Sequence, residues 1–507
     1  MFLAILSGIL LILIFPRSNL EFLAWIALVP LFLAIKDERP KSAFGLGLLA
    51  GLVSFLGILY WIKILAPLIG LLILAFYLAL YIAFFCFLLT FINRKLKSDI
   101  WYLISAPILW VSLEYLRSTF LSGFPWALLG HSQYLNTPLI QISEFTGVYG
   151  ISFLIVLVNI TIAHTISIVR LPRSSPKAMV CGRPSPVVRK ILPIAIVTII
   201  LGACFIHGGL VLRTSHLVPR NAELKVGIVQ GNVDLEEKWS GILHEKILDT
   251  HIRLTEKVVK EEPELIVWSE TATASCLKHA KGDLARLSDL AKRLKTHLLI
   301  GSLDLAPEDN YYNSAFLISP QGNITGQYNK VHLVPFGEVI PLRRQIPFLA
   351  RLVERMGGGG FRAGEELTIF DMDGKRFGVL ICYEGIFDNL ARKFVKKGAD
   401  FIINITNDAW YERTSAPYQH FSFSIFRAIE NRIPIVRAAN TGVSGFIDSY
   451  GRTRKDLDIF IEGTLVDKIN LKKQNTFYTR FGNLFAYLCL GLSGLFLTGA
   501  LIKKKRH

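Results

Sequence analysis

The sequence predicts an α-helical membrane bundle of about eight spans joined to an α/β domain, and three observations support this fold class. Hydrophobic residues make up 52% of the 507 positions and charged residues only 19%, with a mean hydropathy of +0.43. This composition is too apolar for an ordinary soluble enzyme. The apolar residues are concentrated in the first 210 positions and the last 30, whereas the block between them alternates strand and helix patterns.

Eight apolar runs approach the ~20 residues that are needed to cross the hydrocarbon core of a bilayer. The first run is short enough to be a tilted half-span. Seven runs fall in a membrane domain predicted at 1–212, and the eighth forms a C-terminal transmembrane helix at 482–502. The runs lie near 2–15, 19–35, 43–62, 65–93, 100–116, 146–169, 191–212 and 482–502.

Basic residues in the loops predict the orientation of these spans. One set of alternate loops, including the Pro- and Ser-rich linker at 170–190 and the C-terminal tail, holds sixteen Lys and Arg, and the opposite set holds three. Because cytoplasmic loops carry the basic excess, the segment 220–476 is expected outside the cytoplasm. The net charge of +17 is thereby explained without a nucleic-acid partner.

The segment 220–476 is predicted to be one α/β domain, long enough for a substantial core. Short apolar runs bounded by turn residues indicate strands, and longer amphipathic runs between them indicate helices. Strands are expected near 224–232, 264–268, 297–302, 312–318, 324–328, 376–381, 399–406, 433–438 and 443–448. Helices are expected near 238–262, 283–295, 387–397 and 417–432.

Three reactive side chains come directly after predicted strands, where a rigid sheet can hold them at a cleft: Glu270, Lys330 and Cys382. A cysteine nucleophile needs a base or a nearby cation, because a thiol is mostly protonated at neutral pH. Glu270 could accept the thiol proton, and Lys330 could favour the thiolate and stabilise an oxyanion. Glu338 lies eight residues beyond Lys330 and could hold its ammonium.

Each of these residues alone also fits core packing or a solvated surface, so only the joint pattern indicates catalysis. Cys276 is a rival nucleophile, but it follows no predicted strand. The chain contains no CxxC, HExxH or GxSxG motif, so neither a metal, a disulfide framework nor a serine nucleophile is indicated, and no cofactor is expected.

Several motifs resemble the nitrilase (carbon–nitrogen hydrolase) superfamily: WSETA around Glu270, YNKVHLVPFGE around Lys330, CYE at Cys382, NDAWY at 407–411 and NTG at 440–442. With the apolar spans, LAWIALVPL at 24–32 and GFPW at 123–126 resemble the apolipoprotein N-acyltransferase family within it. The resemblance implies an αββα sandwich in the periplasm, anchored in the bacterial inner membrane.

The resemblance also implies a reaction and its residues. A fatty acyl chain would pass from a phospholipid, through a cysteine thioester, to the N-terminal amine of a diacylglyceryl apolipoprotein, and the enzyme would be a monomer. Glu270 resembles the general base, Lys330 the oxyanion stabiliser and Cys382 the nucleophile. Supporting family positions are matched by Glu338, Tyr383, Glu384 and Trp239.

A physical argument independently favours a lipid substrate. Drawing a ~16-carbon acyl chain into water at ~0.8 kcal/mol per CH₂ would cost about 12 kcal/mol, which a membrane-tethered site avoids. Two alternatives remain at this point. One is a membrane-anchored nitrilase-type amidase that uses water to release the acyl group, and the other is a transporter whose outer domain binds solute.

Overall fold

The computed structural model describes residues 1–170, 186–215, 223–235, 244–308, 310–341, 343, 345, 347–355, 358–471 and 474–502. The chain forms two compact units, Met1–His216 with Phe481–His507, and Leu217–Arg480. Trp239, most of the predicted linker at 170–190 and the basic residues at 503–506 lie outside the described residues.

The regular secondary structure of the first unit is helical in the described residues. Its helices are α1 (Phe2–Leu13), α2 (Val29–Ile35), α3 (Pro40–Ile58), α4 (Ile62–Leu65), α5 (Leu68–Leu96), α6 (Asp99–Thr119), α7 (Thr137–Ile140), α8 (Ser143–Thr146), α9 (Val148–Arg170), α10 (Pro186–Thr214) and a C-terminal helix at Leu484–Ile502.

Five helices of the described chain are long and apolar enough to cross a membrane, and they correspond to five of the eight predicted runs. These helices carry at most two charged residues in their most apolar stretch, which suits the hydrocarbon core. The chain is therefore a multi-pass membrane protein. The five spans are Pro40–Ile58, Leu68–Leu96, Val148–Ile168, Ile191–Thr214 and Leu484–Ile502.

The predicted runs at 2–15 and 19–35 form shorter helices. Helix α1 has 12 residues, against the ~20 that a full span needs. The second run is interrupted, because the Asn159 side chain binds its backbone at the break. Asn159 Oδ1 accepts hydrogen bonds from the Leu28 and Val29 amides at 2.8 and 3.1 Å, and Nδ2 donates to the Ala24 carbonyl at 2.8 Å.

The predicted run at 100–116 forms the 21-residue helix α6, which is not among these five spans and carries three charged side chains. Two of them are buried and bind the irregular backbone that follows the helix. Glu114 Oε1 accepts from the Leu129 amide at 2.7 Å, and Arg117 donates to the Trp126 carbonyl at 3.0 Å. The helix is thus a polar support for the 126–129 segment.

The second unit contains two six-stranded sheets, with strand orders β12-β1-β2-β3-β4-β5 and β11-β10-β9-β8-β7-β6. The strands are β1 (Glu223–Gln230), β2 (Leu265–Trp268), β3 (His297–Ala306), β4 (Asn310–Ile318), β5 (Ile324–Asn329), β6 (Phe370–Met372), β7 (Lys375–Ile381), β8 (Phe401–Thr406), β9 (Ile435–Ala439), β10 (Ser444–Ile447), β11 (Thr453–Leu457) and β12 (Gly463–Asn470).

The two sheets contact each other through β1 with β9 and β4 with β7, and helices cover both outer faces. Helices α11 (His244–Val258) and α12 (Lys281–Leu294) pack on the first sheet, and α14 (Asp388–Lys396) and α15 (Ala416–Asn431) pack on the second. The predicted αββα sandwich is confirmed. The remaining helices are α13 (Pro347–Arg355) and α16 (Phe477–Phe481), and the C-terminal span becomes α17.

Parallel strands at the centre of each sheet position the polar groups of this unit. Strands β1, β2 and β3 run parallel, as do β7, β8 and β9, so the carboxyl ends of each set lie at one sheet edge. Strands β2 and β8 are buried along their whole length, as in sheets covered on both faces. Polar residues that follow these strands are therefore brought together on a rigid base.

Candidate active site

The three predicted reactive side chains follow strand ends as expected. Glu270 lies two residues beyond β2, Lys330 directly follows β5, and Cys382 directly follows β7. All three are buried, with 5%, 1% and 7% of their surfaces exposed. Charged groups are rarely buried to this degree without partners.

The Lys330 ammonium lies between two carboxylates. Its Nζ donates a hydrogen bond to Glu338 Oε1 at 2.8 Å and lies 3.7 Å from Glu270 Oε1. Burial by itself lowers the pKa of Lys330, but the charges of Glu338 and then Glu270 outweigh it and leave the pKa raised. The lysine is therefore a fixed cation at the sheet edge.

Asn313, which the sequence patterns did not single out, joins the two carboxylates. Its Nδ2 donates to Glu270 Oε1 at 2.7 Å and to Glu338 Oε1 at 3.0 Å. The side chain projects from strand β4, and its backbone carbonyl accepts from the Lys330 amide at 2.8 Å. A rigid strand thereby fixes the spacing of three charged groups.

The second carboxylate oxygen of Glu270 is held from the other sheet. The Asn407 amide, just beyond β8, donates to Glu270 Oε2 at 2.7 Å. Asn440 in turn donates through Nδ2 to Asn407 Oδ1 at 3.0 Å and to the Val233 carbonyl at 2.7 Å. Both oxygens of Glu270 therefore have fixed partners. Such anchoring restrains the carboxylate to a single orientation.

Cys382 occupies a left-handed backbone position, with φ of +53°, at the sharp turn between β7 and a short 3-10 helix at Cys382–Ile386. A non-glycine residue in this region is strained and is held by its surroundings. Burial, and then the Glu270 charge, raises the pKa of the Cys382 thiol, whereas the Lys330 cation lowers it. The resting thiol is therefore protonated and needs a base.

Glu384 joins the turn after Cys382 to the segment after Lys330. Its Oε1 accepts from the Tyr328 hydroxyl and from the Val331 and His332 amides at 2.8 to 3.0 Å, and its Oε2 accepts from the Ile381 amide at 2.8 Å. Burial raises the pKa of Glu384 to about 7, against the lowering effect of these donors. The carboxylate fixes two of the reactive segments to each other.

Tyr383 and the rival cysteine, Cys276, have different surroundings. Tyr383 is buried, with its ring 5.1 Å from Phe387 in an edge-to-face contact and 5.9 Å from His332. Cys276 lies beside Asp304, and burial followed by that charge raises its thiol pKa. Asp304 pairs with Lys278 at 3.2 Å, but the Lys278 side chain is 42% exposed, whereas Lys330 is buried.

This arrangement combines a thiol, a fixed carboxylate and a fixed ammonium, which are the groups that acyl transfer through a thioester requires. Residues 225–476 match the model of the carbon–nitrogen hydrolase family. Two solved structures that resemble the chain are a carbon–nitrogen hydrolase from Helicobacter pylori G27 (15% identity, 50% of this chain and 91% of that one, TM-score 0.38) and a mutant amidase from Nesterenkonia sp. AN1 (18%, 54% and 98%, 0.41). The family-model match defines residues 225–476 as a carbon–nitrogen hydrolase domain.

The remainder of the chain narrows this class. Residues 7–161 match the model of the apolipoprotein N-acyltransferase N-terminal domain. Apolipoprotein N-acyltransferases from Geobacter metallireducens and Chlorobaculum tepidum are 39% and 30% identical, over 99% of this chain and 96% and 97% of theirs. The chain belongs to the apolipoprotein N-acyltransferase family, and it is an acyltransferase.

Proposed function

We propose that this enzyme transfers a fatty acyl chain from a phospholipid to the N-terminal cysteine amine of a diacylglyceryl apolipoprotein, with Cys382 as the nucleophile. The observation that carries the proposal is the position of Lys330 Nζ between Glu338 at 2.8 Å and Glu270 at 3.7 Å. Beyond the effect of burial, the Glu270 charge raises the pKa of the Cys382 thiol and the Lys330 cation lowers it. A base, a cation and a thiol therefore form one electrostatic unit.

In the first step, Glu270 takes the Sγ proton as Cys382 attacks the ester carbonyl of the phospholipid. The C–S bond forms, and the carbonyl electron pair moves to oxygen. Lys330 donates a hydrogen bond to this oxyanion and stabilises its negative charge. Collapse breaks the ester C–O bond, and the proton on Glu270 goes to the departing lysophospholipid alkoxide.

In the second step, the lipoprotein amine attacks the thioester. Glu270 accepts a proton from the amine nitrogen, and the C–S bond breaks to leave an amide and the thiolate. Glu270 then returns its proton to Cys382. The same base and the same cation serve both steps, because the charge develops on the same carbonyl oxygen each time.

Membrane association supports a lipid donor. The polar unit is connected on both sides to apolar helices, including the spans Ile191–Thr214 and Leu484–Ile502. Extraction of a ~16-carbon chain into water would cost about 12 kcal/mol at ~0.8 kcal/mol per CH₂.

We propose that the enzyme resides in the bacterial inner membrane, with residues 220–476 in the periplasm. All three reactive side chains belong to one chain, so we also propose a monomer.

The covalent intermediate provides the test. Enzyme purified without lipoprotein and mixed with phosphatidylethanolamine vesicles should gain one acyl mass on Cys382, which neutral hydroxylamine removes. A diacylglyceryl-cysteine peptide should then discharge the chain onto its amine. Cys276→Ala serves as the matched control and should keep the adduct, whereas Cys382→Ala should lose it.

The amidase alternative gives a different result in the same assay. A hydrolase would release free fatty acid rapidly, and no acylated peptide would form. That outcome, or an adduct on Cys276 in place of Cys382, would contradict the proposal.

A further inference from the structure

We propose that His420 is a positioning residue that fixes the strained turn at Cys382 through the cysteine's own carbonyl group. The inference rests on the proposed nucleophilic role of Cys382. It concerns a buried polar network formed by the side chains of His420, Asp408 and Arg437, none of which is among the three proposed catalytic groups.

The network reaches the cysteine backbone directly. His420, on helix α15, places its Nε2 atom 3.2 Å from the Cys382 carbonyl oxygen. Because a carbonyl oxygen only accepts, Nε2 is the donor in this contact. The imidazole is completely buried, so water does not compete for either atom.

The other side of the ring is held by charged groups. His420 Nδ1 lies 2.9 Å from Asp408 Oδ1, and Asp408 Oδ2 lies 3.0 Å from an Arg437 guanidinium nitrogen. All three side chains have no exposed surface. Donation from both ring nitrogens requires the imidazolium form of His420, which burial and the Arg437 charge oppose and the Asp408 charge favours.

Arg437 is in turn fixed to the sheet that carries the cysteine. It donates to Asn404 Oδ1 on β8, and Asn404 Nδ2 donates to the Leu380 carbonyl on β7 at 2.9 Å. These contacts link Leu380 on β7 to Asn404 on β8 and Arg437 on β9. Through Asp408 and His420 they then reach Cys382, directly after β7. The rings of Tyr411 and Phe423 pack around the imidazole.

A restraint at the carbonyl matters because Cys382 has a φ of +53°. A non-glycine residue persists in this conformation only where its surroundings determine it. The carbonyl oxygen moves when the turn relaxes, and the Sγ atom moves with it. Loss of the Nε2 donor is therefore expected to displace the thiol from its base and cation, without contact to any substrate.

Two isosteric variants separate this role from general stability. Glutamine places an amide donor near the position of histidine Nε2, whereas asparagine places one near Nδ1. His420→Gln thus keeps a donor for Cys382 and loses the Asp408 contact, and His420→Asn does the reverse. Both lose one buried hydrogen bond, so both are expected to unfold at lower temperature.

The measurement is the rate at which iodoacetamide alkylates Cys382 in the full-length protein, followed by peptide mass spectrometry. We expect a rate for His420→Gln within about threefold of the wild type, and for His420→Asn a rate about tenfold lower. His297→Gln, at the amino end of β3, is the control and should be unchanged. Equal rates in the two His420 variants, or slower alkylation in the glutamine variant, would overturn the proposal.

Gly442 provides a second variant if His420→Asn does not fold. A Cβ atom at this position would lie 2.1 Å from Asp408 Oδ2, so Gly442→Ala must displace the carboxylate that orients His420. Alkylation of Cys382 should slow about tenfold in the wild-type background and should not slow further in His420→Gln. An equal loss in both backgrounds would contradict the positioning role.

This readout is independent of the proposed lipid chemistry. If phospholipid does not acylate the wild-type enzyme, the proposed function fails while the alkylation comparison still gives a result. If acylation succeeds but both His420 variants alkylate alike, only the positioning role fails.

Discussion

Lys330 and Glu338 form a buried ion pair in which Nζ donates to Oε1 at 2.8 Å, and both residues belong to the segment after strand β5. The partner is held as well, since Glu338 Oε2 accepts from the Val334 amide at 2.8 Å. The cation is therefore aimed by a local turn and not by the long-range fold alone. The first two predictions test this relationship.

Lys330→Met should slow formation of the acyl-enzyme by about 10²- to 10³-fold, because a lost oxyanion donor typically costs ~2.7 to 4 kcal/mol of transition-state stabilisation. Single-turnover acylation by phospholipid measures the effect. The apparent affinity for phospholipid should change little. Lys278→Met, at a lysine whose side chain is 42% exposed, is the matched control. Near-normal turnover in Lys330→Met would exclude the oxyanion role.

Glu338→Gln should make the reaction more sensitive to alkaline pH. The Glu338 charge is the strongest influence that raises the pKa of Lys330, so its removal lowers that pKa. Lysine is charged below its pKa, and the variant should therefore lose its cation, and its rate, at a lower pH than the wild type does. A pH profile of single-turnover acylation tests this, with the exposed Glu365→Gln as control. If the rates of the variant and the wild type decline over the same alkaline pH range, the prediction is contradicted.

Glu384→Gln should flatten the dependence of stability on pH. Burial raises the pKa of Glu384 from 4.5 to about 7, so between these values the folded protein holds a proton that the unfolded chain has released. The free energy of unfolding therefore falls as pH rises through this window, by about 3 kcal/mol in total. Thermal unfolding at pH 5 and pH 7.5 should show a larger decrease in Tm for the wild type than for the variant. Parallel decreases would count against this.

Reporter fusions test the predicted topology. Sixteen basic residues fall in one set of alternate loops and three in the other, which predicts that residues 220–476 lie in the periplasm and the 170–190 linker in the cytoplasm. Alkaline phosphatase should be active when fused after residue 300 and inactive after residue 180. A cytoplasmic signal after residue 300 would refute the periplasmic assignment.

The strand and helix patterns predicted most of the second unit. Strand β2 is observed at Leu265–Trp268 and helix α15 at Ala416–Asn431, each within one residue of the predicted bounds. Strand β12 was missed, since its antiparallel pairing with β1 joins residues that are far apart in the chain. Strand β11 was missed because its five residues, TRKDL, are nearly all exposed and polar.

In the site, residues that directly follow apolar strands were recognisable, and residues inside elements were not. Glu270 and Lys330 stood out because each charged side chain follows a predicted strand. Asn313 lies within a strand and His420 within a helix, where one polar residue has no local signal for its partner. Asp408 follows the buried strand FIINIT and lies in the NDAWY motif, but the sequence analysis predicted no role for it.

The number of membrane spans was also difficult to predict from the sequence. Composition alone cannot distinguish an apolar helix from an apolar segment that a distant side chain breaks. The run at 19–35 is interrupted by hydrogen bonds from Asn159, more than 120 positions later in the chain. Helix α6 has enough length to cross, but its buried Glu114 and Arg117 serve a neighbouring loop.

The left-handed conformation at Cys382 implies that stability and catalysis favour different residues at this one position. Non-glycine residues in this region cost about 1 to 3 kcal/mol, whereas glycine adopts it without steric penalty. Selection for a heat-resistant scaffold and selection for a working nucleophile therefore favour different residues at position 382. A library of variants screened only for thermal resistance should accumulate glycine at position 382 and lose activity. Directed evolution of this enzyme therefore requires selection for both stability and activity.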